Sequence, residues 1–366
     1  MSPIARRRSR SPKSGPRLSV PVRASVKHLA PYVAPEEGRA GKLRLDFNEN
    51  TIGCSPKVLR ALSRITPEEL AIYPEYEVTT RRLARRFGVR PAEMLFTNGV
   101  DDALRLIMDT FVEPGNTVLI PEPTFSMYRF FAEIAGGRVE AVRYESDLQF
   151  PLAATLRALR RSPRVLCLAN PNNPTGTLLD RSALRRILDA APRTLVLVDE
   201  AYFEFAGLTV LPWIRRRANL VVSRTLSKAA GLAALRLGVL FARADLADAL
   251  RRACTPYPVS AAALVAAEAA LADRQFLRRY VREVLASRAL LALGLERLGV
   301  RVFPSAANFL LVDFGPGGGW LVRRLARRGI LLRDRASEMG RDGFVRVTAG
   351  TVAQTRRLLR AIEEER

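Results

Sequence analysis

The stretch Leu195-Val196-Leu197-Val198-Asp199-Glu200-Ala201-Tyr202 decides the fold class of this sequence. Its first four residues are all apolar, which is typical of a strand buried on both faces in a parallel sheet. From about Leu43 onward, similar short apolar runs alternate with longer helical patterns, as they do in α/β proteins. The sequence therefore predicts an α/β fold whose helices cover a mostly parallel sheet.

The same alternation locates the other elements. Further strands are predicted at Thr117–Ile120, Arg138–Val142, Val165–Ala169, Leu220–Ser223 and Leu237–Phe241. Apolar residues at helical spacing predict helices at Ala103–Phe111, Thr124–Ala135 and Arg181–Ala190. After long Ala/Leu/Arg segments, strand-like patterns return at Arg301–Val312 and Phe344–Thr348.

We expect four segments along the chain. Residues 1–25 are basic, contain several Ser and Pro and no acidic residue, and predict a disordered tail. Residues 26–50 are expected to form an N-terminal arm that belongs to the smaller domain. Residues 51–245 are expected to form a large domain, and residues 246–366 a smaller α+β domain.

The charge of the chain is strongly positive, at +23 from 59 basic and 36 acidic residues. Only five of the basic residues are lysines, and many arginines alternate with apolar residues at helical spacing, as in residues 81–86 and 321–328. This alternation indicates solvated helix faces more than a nucleic-acid surface. We therefore expect small-molecule partners and no nucleic acid.

Cysteine content and hydropathy bear on the compartment. Cys54, Cys167 and Cys254 lie far apart, so they form neither a metal-ligand spacing nor a disulfide framework. No apolar run approaches the roughly 18–20 residues that span a bilayer. We expect a cytoplasmic protein with no membrane partner and no metal.

Lys228 is the first candidate for chemistry. It stands just after the predicted strand Leu220–Ser223, between the hydroxyl-bearing Thr225 and Ser227 and the flexible Gly231. A lysine amine can form a Schiff base with a carbonyl cofactor. Taken alone, the residue can equally be a solvated surface lysine.

Asp199 is the second candidate, because the C-terminal ends of parallel strands face the ligand crevice of α/β proteins. An ionised Asp at that place can pair with a protonated pyridine nitrogen and make the ring a better electron sink. Tyr202, one turn later, can donate a hydrogen bond to a phenolic oxygen of the ring. A plain helix N-cap remains the alternative for Asp199.

Two loops complete the candidate constellation. The segment Asn170–Gly176 contains three Asn and two Pro, and such a rigid loop can aim the amide of Asn173 at a ligand. The segment Thr97–Asp102 places Gly99 at the start of a predicted helix, where free backbone amides bind anions. Arg236, eight residues after Lys228, can add a fixed cation to the same phosphate.

These motifs in this order resemble the fold-type I pyridoxal-phosphate enzymes and, within them, the histidinol-phosphate aminotransferases. The resemblance runs from about Val26 to the C-terminus and is carried by residues 48–50, 73–75, 123–128, 170–176, 199–205, 224–238, 329–334 and 344–351. It implies a mostly parallel seven-stranded sheet in the large domain, pyridoxal 5'-phosphate as the cofactor and a class I/II transamination.

The resemblance also implies roles for individual residues. Lys228 would form the Schiff base and then move the proton, while Asp199 pairs with the ring nitrogen. The other implied cofactor contacts are Tyr202 and Asn173 at the ring oxygen, Phe125 on the ring face, and Thr225, Ser227, Arg236 and the amides of Val100 and Asp101 at the phosphate. Tyr73 would reach the phosphate in a neighbouring subunit, which implies a homodimer. The implied substrate residues are Tyr32, Asn48, Asn308, Arg333 and Arg346.

The implied reaction is amino transfer from L-histidinol phosphate to 2-oxoglutarate in histidine biosynthesis, with glutamate as a product. The sequence departs from the family pattern in three places, at Thr51–Pro56, at Val100–Asp102 and at Phe125. At the position of Phe125, the family frequently has a tyrosine. The first departure alters a loop on the substrate side, so it bears on substrate specificity rather than on catalysis. An aromatic amino-acid aminotransferase and a threonine-phosphate decarboxylase-like lyase remain alternatives, because they share the cofactor motifs.

Overall fold

A computed structural model describes residues 20–27, 29 and 38–365. Thirteen strands are present in these residues: β1 Leu43–Arg44, β2 Met94–Asn98, β3 Thr117–Glu122, β4 Arg138–Arg143, β5 Val165–Ala169, β6 Leu195–Asp199, β7 Leu220–Thr225, β8 Leu237–Ala242, β9 Arg301–Val302, β10 Phe309–Asp313, β11 Ile330–Leu331, β12 Arg333–Asp334 and β13 Phe344–Thr348.

Fifteen α-helices accompany the strands in the same residues: α1 Ala24–Lys27, α2 Pro56–Leu62, α3 Pro67–Ala71, α4 Tyr76–Phe87, α5 Gly99–Phe111, α6 Met127–Ile134, α7 Leu152–Leu159, α8 Arg181–Ala190, α9 Phe203–Ala206, α10 Ala244–Ala253, α11 Ala261–Ala272, α12 Arg274–Arg297, α13 Gly318–Arg327, α14 Ala336–Met339 and α15 Val352–Glu363. None of these helices combines the length and apolar character that crossing a bilayer requires.

The main sheet has seven strands in the order β2-β8-β7-β6-β5-β3-β4. Every neighbouring pair from β7 to β4 is parallel, whereas β8 is antiparallel to both β2 and β7. The predicted α/β fold with a mostly parallel seven-stranded sheet is confirmed. Strand β8 runs against the others, so the turn before it lies at the same edge as the C-terminal ends of β2, β5, β6 and β7.

In strand β6, the four consecutive apolar residues 195–198 cover both faces of the sheet. Leu195 and Leu197 pack on one face of the sheet, in the cluster that contains residues of α5. Val196 and Val198 pack on the other face, in the cluster that contains residues of α8. The prediction of a strand buried on both faces is confirmed, since the alternation of side chains gives each face two apolar residues.

A second, smaller group of strands follows the main sheet. Strands β12, β13, β10 and β9 form an antiparallel sheet in that order. The two-residue strand β1, near the N-terminus, pairs in parallel with β11. Leu45 then continues toward β13, where its carbonyl accepts a hydrogen bond of 2.9 Å from the Thr348 amide. Residues 43–48 therefore lie against the C-terminal sheet.

Two predicted boundaries differ from the structure. The region Arg301–Val312 was predicted as one strand but is divided into β9 and β10. Pro304 lacks an amide hydrogen, and the Ala306 amide bonds instead to the Gly176 carbonyl at 2.9 Å. Helix α6 begins at Met127, three residues later than predicted, because the Thr124 hydroxyl donates to Asn172 at 2.6 Å and holds residue 124 in a turn.

Candidate active site

A cavity of about 520 Å³ opens at the edge of the sheet where β5, β6 and β7 end. It is lined by residues from both sheets and from the arm. Most of the sequence-predicted site residues are among the lining residues, namely Asn48, Val100, Asp101, Phe125, Asn173, Asp199, Tyr202, Thr225, Ser227, Lys228, Arg236, Arg333 and Arg346. The parallel strands β5, β6 and β7 bring Asn173, Asp199 and Lys228 together, because their C-terminal ends meet at one edge.

Two predicted residues lie elsewhere, and a third, Tyr32, is not among the described residues. Tyr73 has 73% of its surface exposed and stacks on Tyr257, with ring centroids 4.3 Å apart. Asn308 is fully buried behind the cavity wall, where its amide donates to the Asn48 carbonyl at 3.0 Å.

Asp199 occupies the end of β6 and is almost completely buried. Its carboxylate accepts hydrogen bonds from the Tyr128 hydroxyl at 2.7 Å and from the Ser223 hydroxyl at 2.9 Å. Burial raises the pKa of Asp199 to about 6, although the bonds from Tyr128 and Ser223 act in the opposite direction. A buried carboxylate facing a cavity favours a cationic partner there, because pairing compensates the lost hydration.

Lys228 follows β7 and is partly buried. Its amine donates a hydrogen bond of 2.9 Å to the Phe47 carbonyl and lies 5.8 Å from the centre of the Tyr202 ring. The lysine is thus held inside the cavity, and the interpretation as a solvated surface lysine is wrong. The contact with Phe47 joins residues 181 positions apart, and the sequence gives no signal for it.

The ring of Tyr202 is also buried, and its hydroxyl points to polar neighbours. That hydroxyl accepts a bond of 3.0 Å from the Asn48 amide, so its own hydrogen remains available to a ligand. Asn48 is fixed in turn by Thr348, which donates to its side-chain oxygen at 3.1 Å. Asn173 accepts a bond of 2.5 Å from Arg346 and lines the same cavity.

The turn before α5 brings backbone amides and a guanidinium together at one corner of the cavity. Gly99 has φ +76°, and a Cβ atom on it would lie 2.5 Å from the Arg236 guanidinium. Arg236 itself has the left-handed φ of 51° and pairs with the Asp101 carboxylate at 3.1 Å. The free amides at the start of α5 and this guanidinium therefore face one point, as expected for a phosphate site.

A second cationic region lies on the side of the cavity formed by the small sheet. Arg333 and Arg346 are directly opposite each other in the β12–β13 pair. Like charges in that position repel each other unless an anion lies between them. Among the described residues, neither guanidinium has a carboxylate within 4.0 Å. Burial, and the neighbouring Arg335, lower the pKa of Arg346.

Comparison with known protein families agrees with the cofactor site suggested by this geometry. The pattern of the family described as "Aminotransferase class I and II" matches residues 40–362. The chain belongs to this family. Membership predicted from the motifs is thereby confirmed.

Proteins that match nearly the whole length of the chain support its membership in this family. The histidinol-phosphate aminotransferase of Roseiflexus castenholzii is 38% identical over 364 residues, covering 94% of this chain and 97% of that protein. The histidinol-phosphate aminotransferase of Sinorhizobium meliloti, solved in complex with pyridoxal-5'-phosphate, superposes with a TM-score of 0.85. Its sequence is 27% identical, and the match covers 97% of this chain and 100% of that one.

A third relative carries out a different reaction on a related scaffold. The L-threonine-O-3-phosphate decarboxylase of Porphyromonas gingivalis is 27% identical, with a TM-score of 0.78, and the match covers 88% of this chain and 99% of that one. The aminotransferase family fold therefore accommodates more than one chemistry, and residues in the cavity must decide between them.

Sequence reasoning gave no role to several residues of this site. Tyr128 belongs to a motif that was recognised, yet only the folded chain reveals its bond to Asp199 across 71 positions. Arg39 and Phe47 come from the arm, where the Arg39 guanidinium lies 4.4 Å from the centre of the Phe47 ring. Arg335, two residues after Arg333, also lines the cavity. Its alternation with Arg333 was the available signal, since residues i and i+2 of an extended segment share a face.

Proposed function

We propose that the chain catalyses pyridoxal-phosphate-dependent transamination of L-histidinol phosphate with 2-oxoglutarate, giving imidazole-acetol phosphate and L-glutamate. One observation carries this proposal. A single cavity contains an amine, a buried carboxylate and two separate cationic corners, of which one suits the cofactor phosphate and the other the phosphate of the donor. The names of the relatives from Roseiflexus castenholzii and Sinorhizobium meliloti support the same substrate.

The residues present fit pyridoxal phosphate. Asp199 is a buried carboxylate in need of a cation, which the protonated ring nitrogen supplies. The amides at the start of α5 and Arg236, with Thr225 and Ser227, would hold the phosphate. Phe125 stands beside Tyr128 in a T-shaped contact, with ring centroids 5.7 Å apart, and would cover one face of the ring.

When bound, the cofactor supplies a carbonyl that condenses with amines and a ring that accepts electron density from the Cα carbon of the substrate. Lys228 supplies the amine that anchors it. Its Nζ atom would then act as the base that takes the proton from the substrate Cα and moves it in the 1,3 shift. The Phe47 carbonyl, 2.9 Å away, orients Nζ toward the cavity rather than toward solvent.

Tyr202 and Asn173 would orient the ring oxygen. The Tyr202 hydroxyl already accepts from Asn48, so its hydrogen is directed away from Asn48. Asn173 is bound to Arg346, and this bond couples the ring side of the cavity to the substrate-anion side. Substrate binding at Arg346 would therefore change the position of the Asn173 amide, which holds the ring oxygen.

Arg333 and Arg346 would bind the anionic end of each substrate. Their cross-strand register places two guanidinium groups on one face without a described carboxylate between them. Guanidinium forks match phosphate and carboxylate geometry, so one corner can serve the donor phosphate in one half-reaction and the keto-acid carboxylate in the other. Such sharing suits the ping-pong order of a transaminase, in which the two substrates occupy the site in turn.

A homodimer is part of the proposal. Tyr73 and its stacking partner Tyr257 are both more than half exposed, and Ile52, Leu70 and Ile72 are exposed in the same region of sequence. Exposed aromatic and aliphatic side chains in one area favour a protein interface. In a dimer, Tyr73 would reach the cofactor phosphate of the partner. Sedimentation should give twice the monomer mass, and Tyr73→Phe should weaken cofactor binding.

We also propose a cytoplasmic location and a division into the large and small domains given above. All three cysteines are free, which suits a reducing compartment. Strands β2–β8 form one sheet, and strands β9, β10, β12 and β13 form another, which supports a boundary near residue 245.

Product analysis tests the reaction type. Purified, cofactor-loaded protein is incubated with L-histidinol phosphate and 2-oxoglutarate and, in a separate reaction, with L-threonine O-3-phosphate and 2-oxoglutarate, and glutamate and carbon dioxide are measured in both. Glutamate in stoichiometric amounts with parallel-line ping-pong kinetics is expected. Carbon dioxide from threonine phosphate without glutamate would instead identify a lyase and overturn the proposal.

A further inference from the structure

Arg335 lies beside the substrate-anion corner and has no role in the account above. It directly follows β12, two residues beyond Arg333, and its side chain is only 13% exposed. It lines the same cavity as Arg333 and Arg346. Its backbone amide donates to the Phe344 carbonyl of β13 at 2.8 Å, so β13 holds the residue at the cavity wall.

The guanidinium of Arg335 is only partly satisfied. Its Nη1 atom donates to the Glu338 carboxylate, one turn later on the same chain. Its Nε atom is buried and has no hydrogen-bond acceptor among the described residues. An arginine fork offers five donors, and a buried donor without an acceptor costs free energy. This guanidinium is therefore prepared for an additional acceptor.

Glu338 is the partner that can leave. It lies in the four-residue helix α14, which ends at Gly340 with φ +74°. Its side chain is 28% exposed, so rotation of that side chain brings the carboxylate into water at little cost. Arg335 itself stays at the wall through its backbone bond. The pair thus consists of a fixed cation and an exchangeable anion.

The surrounding charge favours that exchange. Arg333, Arg335 and Arg346 contribute three positive charges to one side of the cavity, and Glu338 is the only described carboxylate in an ion pair with any of them. A phosphate group brings up to two negative charges and three acceptor oxygens, which is more than a single carboxylate supplies. Exchange of Glu338 for a phosphate therefore improves the charge balance of this corner.

We propose that Arg335 is a third residue of the substrate-anion site and that Glu338 holds its guanidinium until the terminal anion of a substrate displaces the carboxylate. The proposal rests on the proposed function and adds a specificity-determining residue and its exchangeable partner. The shared ligand chemistry is a terminal anion remote from the reacting carbon. It is either the phosphate of the amino donor or the distal carboxylate of the keto acid.

Two opposing variants test this arrangement. Arg335→Gln removes the cation, and Glu338→Gln removes the competing anion while leaving a side chain of the same shape. Arg335→Lys retains the charge without the fork and serves as the conservative variant. Arg341→Gln is the matched control, because Arg341 lies between β12 and β13 and pairs with Asp313 at 2.5 Å but does not line the cavity.

The measurements are KM and kcat of each cofactor-loaded variant for two pairs of substrates. L-histidinol phosphate is compared with L-histidinol, and 2-oxoglutarate is compared with pyruvate, so each pair differs in the terminal anion. With Arg335→Gln, KM for at least one substrate that carries the terminal anion is expected to rise about tenfold or more, while KM for the counterpart without that anion changes less than about threefold. The affected pair identifies which anion Arg335 binds.

The Glu338→Gln variant is expected to change KM in a direction that a purely structural role would not produce. Its KM for the same anionic substrate is expected to fall, and this gain should disappear in the double variant that also lacks Arg335. Arg335→Lys should recover part of the loss, and Arg341→Gln should match the wild type. A rise in KM for Glu338→Gln, or equal losses on both members of each pair with Arg335→Gln, would overturn the proposal.

Failure of the proposed function is distinguishable from failure of this inference. If the wild-type protein does not use L-histidinol phosphate, the donor assignment fails. The comparison of 2-oxoglutarate with pyruvate, run with whichever amino acid the protein accepts, still decides whether Arg335 binds a terminal anion.

Discussion

The hydroxyl of Tyr128 donates a 2.7 Å hydrogen bond to the Asp199 carboxylate, and both side chains are enclosed by the sheet and its helices. Ser223 donates to the second carboxylate oxygen at 2.9 Å. Two donors orient Asp199, yet burial still raises its pKa to about 6. A positively charged ring nitrogen is a partner that would stabilise its ionised form, and this relation leads to the first prediction.

Asp199→Asn should separate stability from activity. A carboxyl group whose folded pKa is raised stabilises the fold below its unfolded pKa near 4, and this stability is lost as pH rises through about 6. At pH 8 the cofactor-free variant should therefore melt at a temperature equal to or a few degrees above that of the wild type, with the advantage vanishing near pH 4. Turnover of the cofactor-loaded variant should fall by about 10²-fold or more, because a neutral ring accepts electron density poorly.

Thermal melts across this pH range, with the exposed Asp248→Asn as the control, check the prediction. A cofactor-free Asp199→Asn protein that melts well below the wild type at pH 8, or one that retains full activity, would argue against the ring-pairing role of Asp199.

Lys228→Ala should remove the covalent anchor of the cofactor. We expect turnover to fall by about 10³-fold or more and the absorbance band of the lysine-bound cofactor to disappear, because no other described lysine lines the cavity. Lys57→Ala is the control, since Lys57 is about half exposed and pairs with Asp273 at 3.4 Å. Undiminished turnover in the Lys228 variant would refute the mechanism.

Gly99→Ala should weaken cofactor binding. The added Cβ would lie 2.5 Å from the Arg236 guanidinium and would push it out of the phosphate corner. Gly88→Ala is a matched control, because Gly88 has a similar φ of +72° but no atom within 4 Å of the new Cβ. Titration with pyridoxal phosphate should give a Kd raised about tenfold or more for the first variant and near the wild-type value for the second. Equal Kd values for both variants would place the phosphate elsewhere.

Arg333→Ala should discriminate between donors. We expect kcat/KM for L-histidinol phosphate to fall about 10- to 100-fold, because a charge-assisted bond to phosphate is lost. The value for L-phenylalanine, which has no phosphate, should change less than about threefold. Steady-state kinetics with both donors checks the prediction, and an equal loss on both would argue against a role of Arg333 in binding the donor phosphate.

Local signals allowed much of this site to be predicted from the sequence. Asn173, Asp199 and Lys228 each follow a short apolar run, and parallel strands place such positions at one edge of a sheet. Strand β2 was not predicted, because its apolar run Met94–Phe96 has only three residues. Its pairing with β8 comes from tertiary contacts and not from local propensity.

Contacts between distant segments could not be predicted in the same way. Lys228 bonds to Phe47 in the arm, and Arg346 bonds to the Asp46 carbonyl at 2.5 Å across 300 positions. No periodicity in either segment specifies the other, since these bonds depend on how β1 docks against β11. The motif around Lys228 identified the residue, and only the fold identified its hydrogen-bond partner.

The most direct test of the account is the ratio of kcat/KM for L-histidinol phosphate to that for L-phenylalanine, measured as glutamate formation from 2-oxoglutarate by the cofactor-loaded wild-type protein. We predict a ratio of about 100 or more, which corresponds to roughly 2.7 kcal/mol of transition-state discrimination. A ratio near or below one would contradict the phosphate-donor assignment and make aromatic amino acids the substrates.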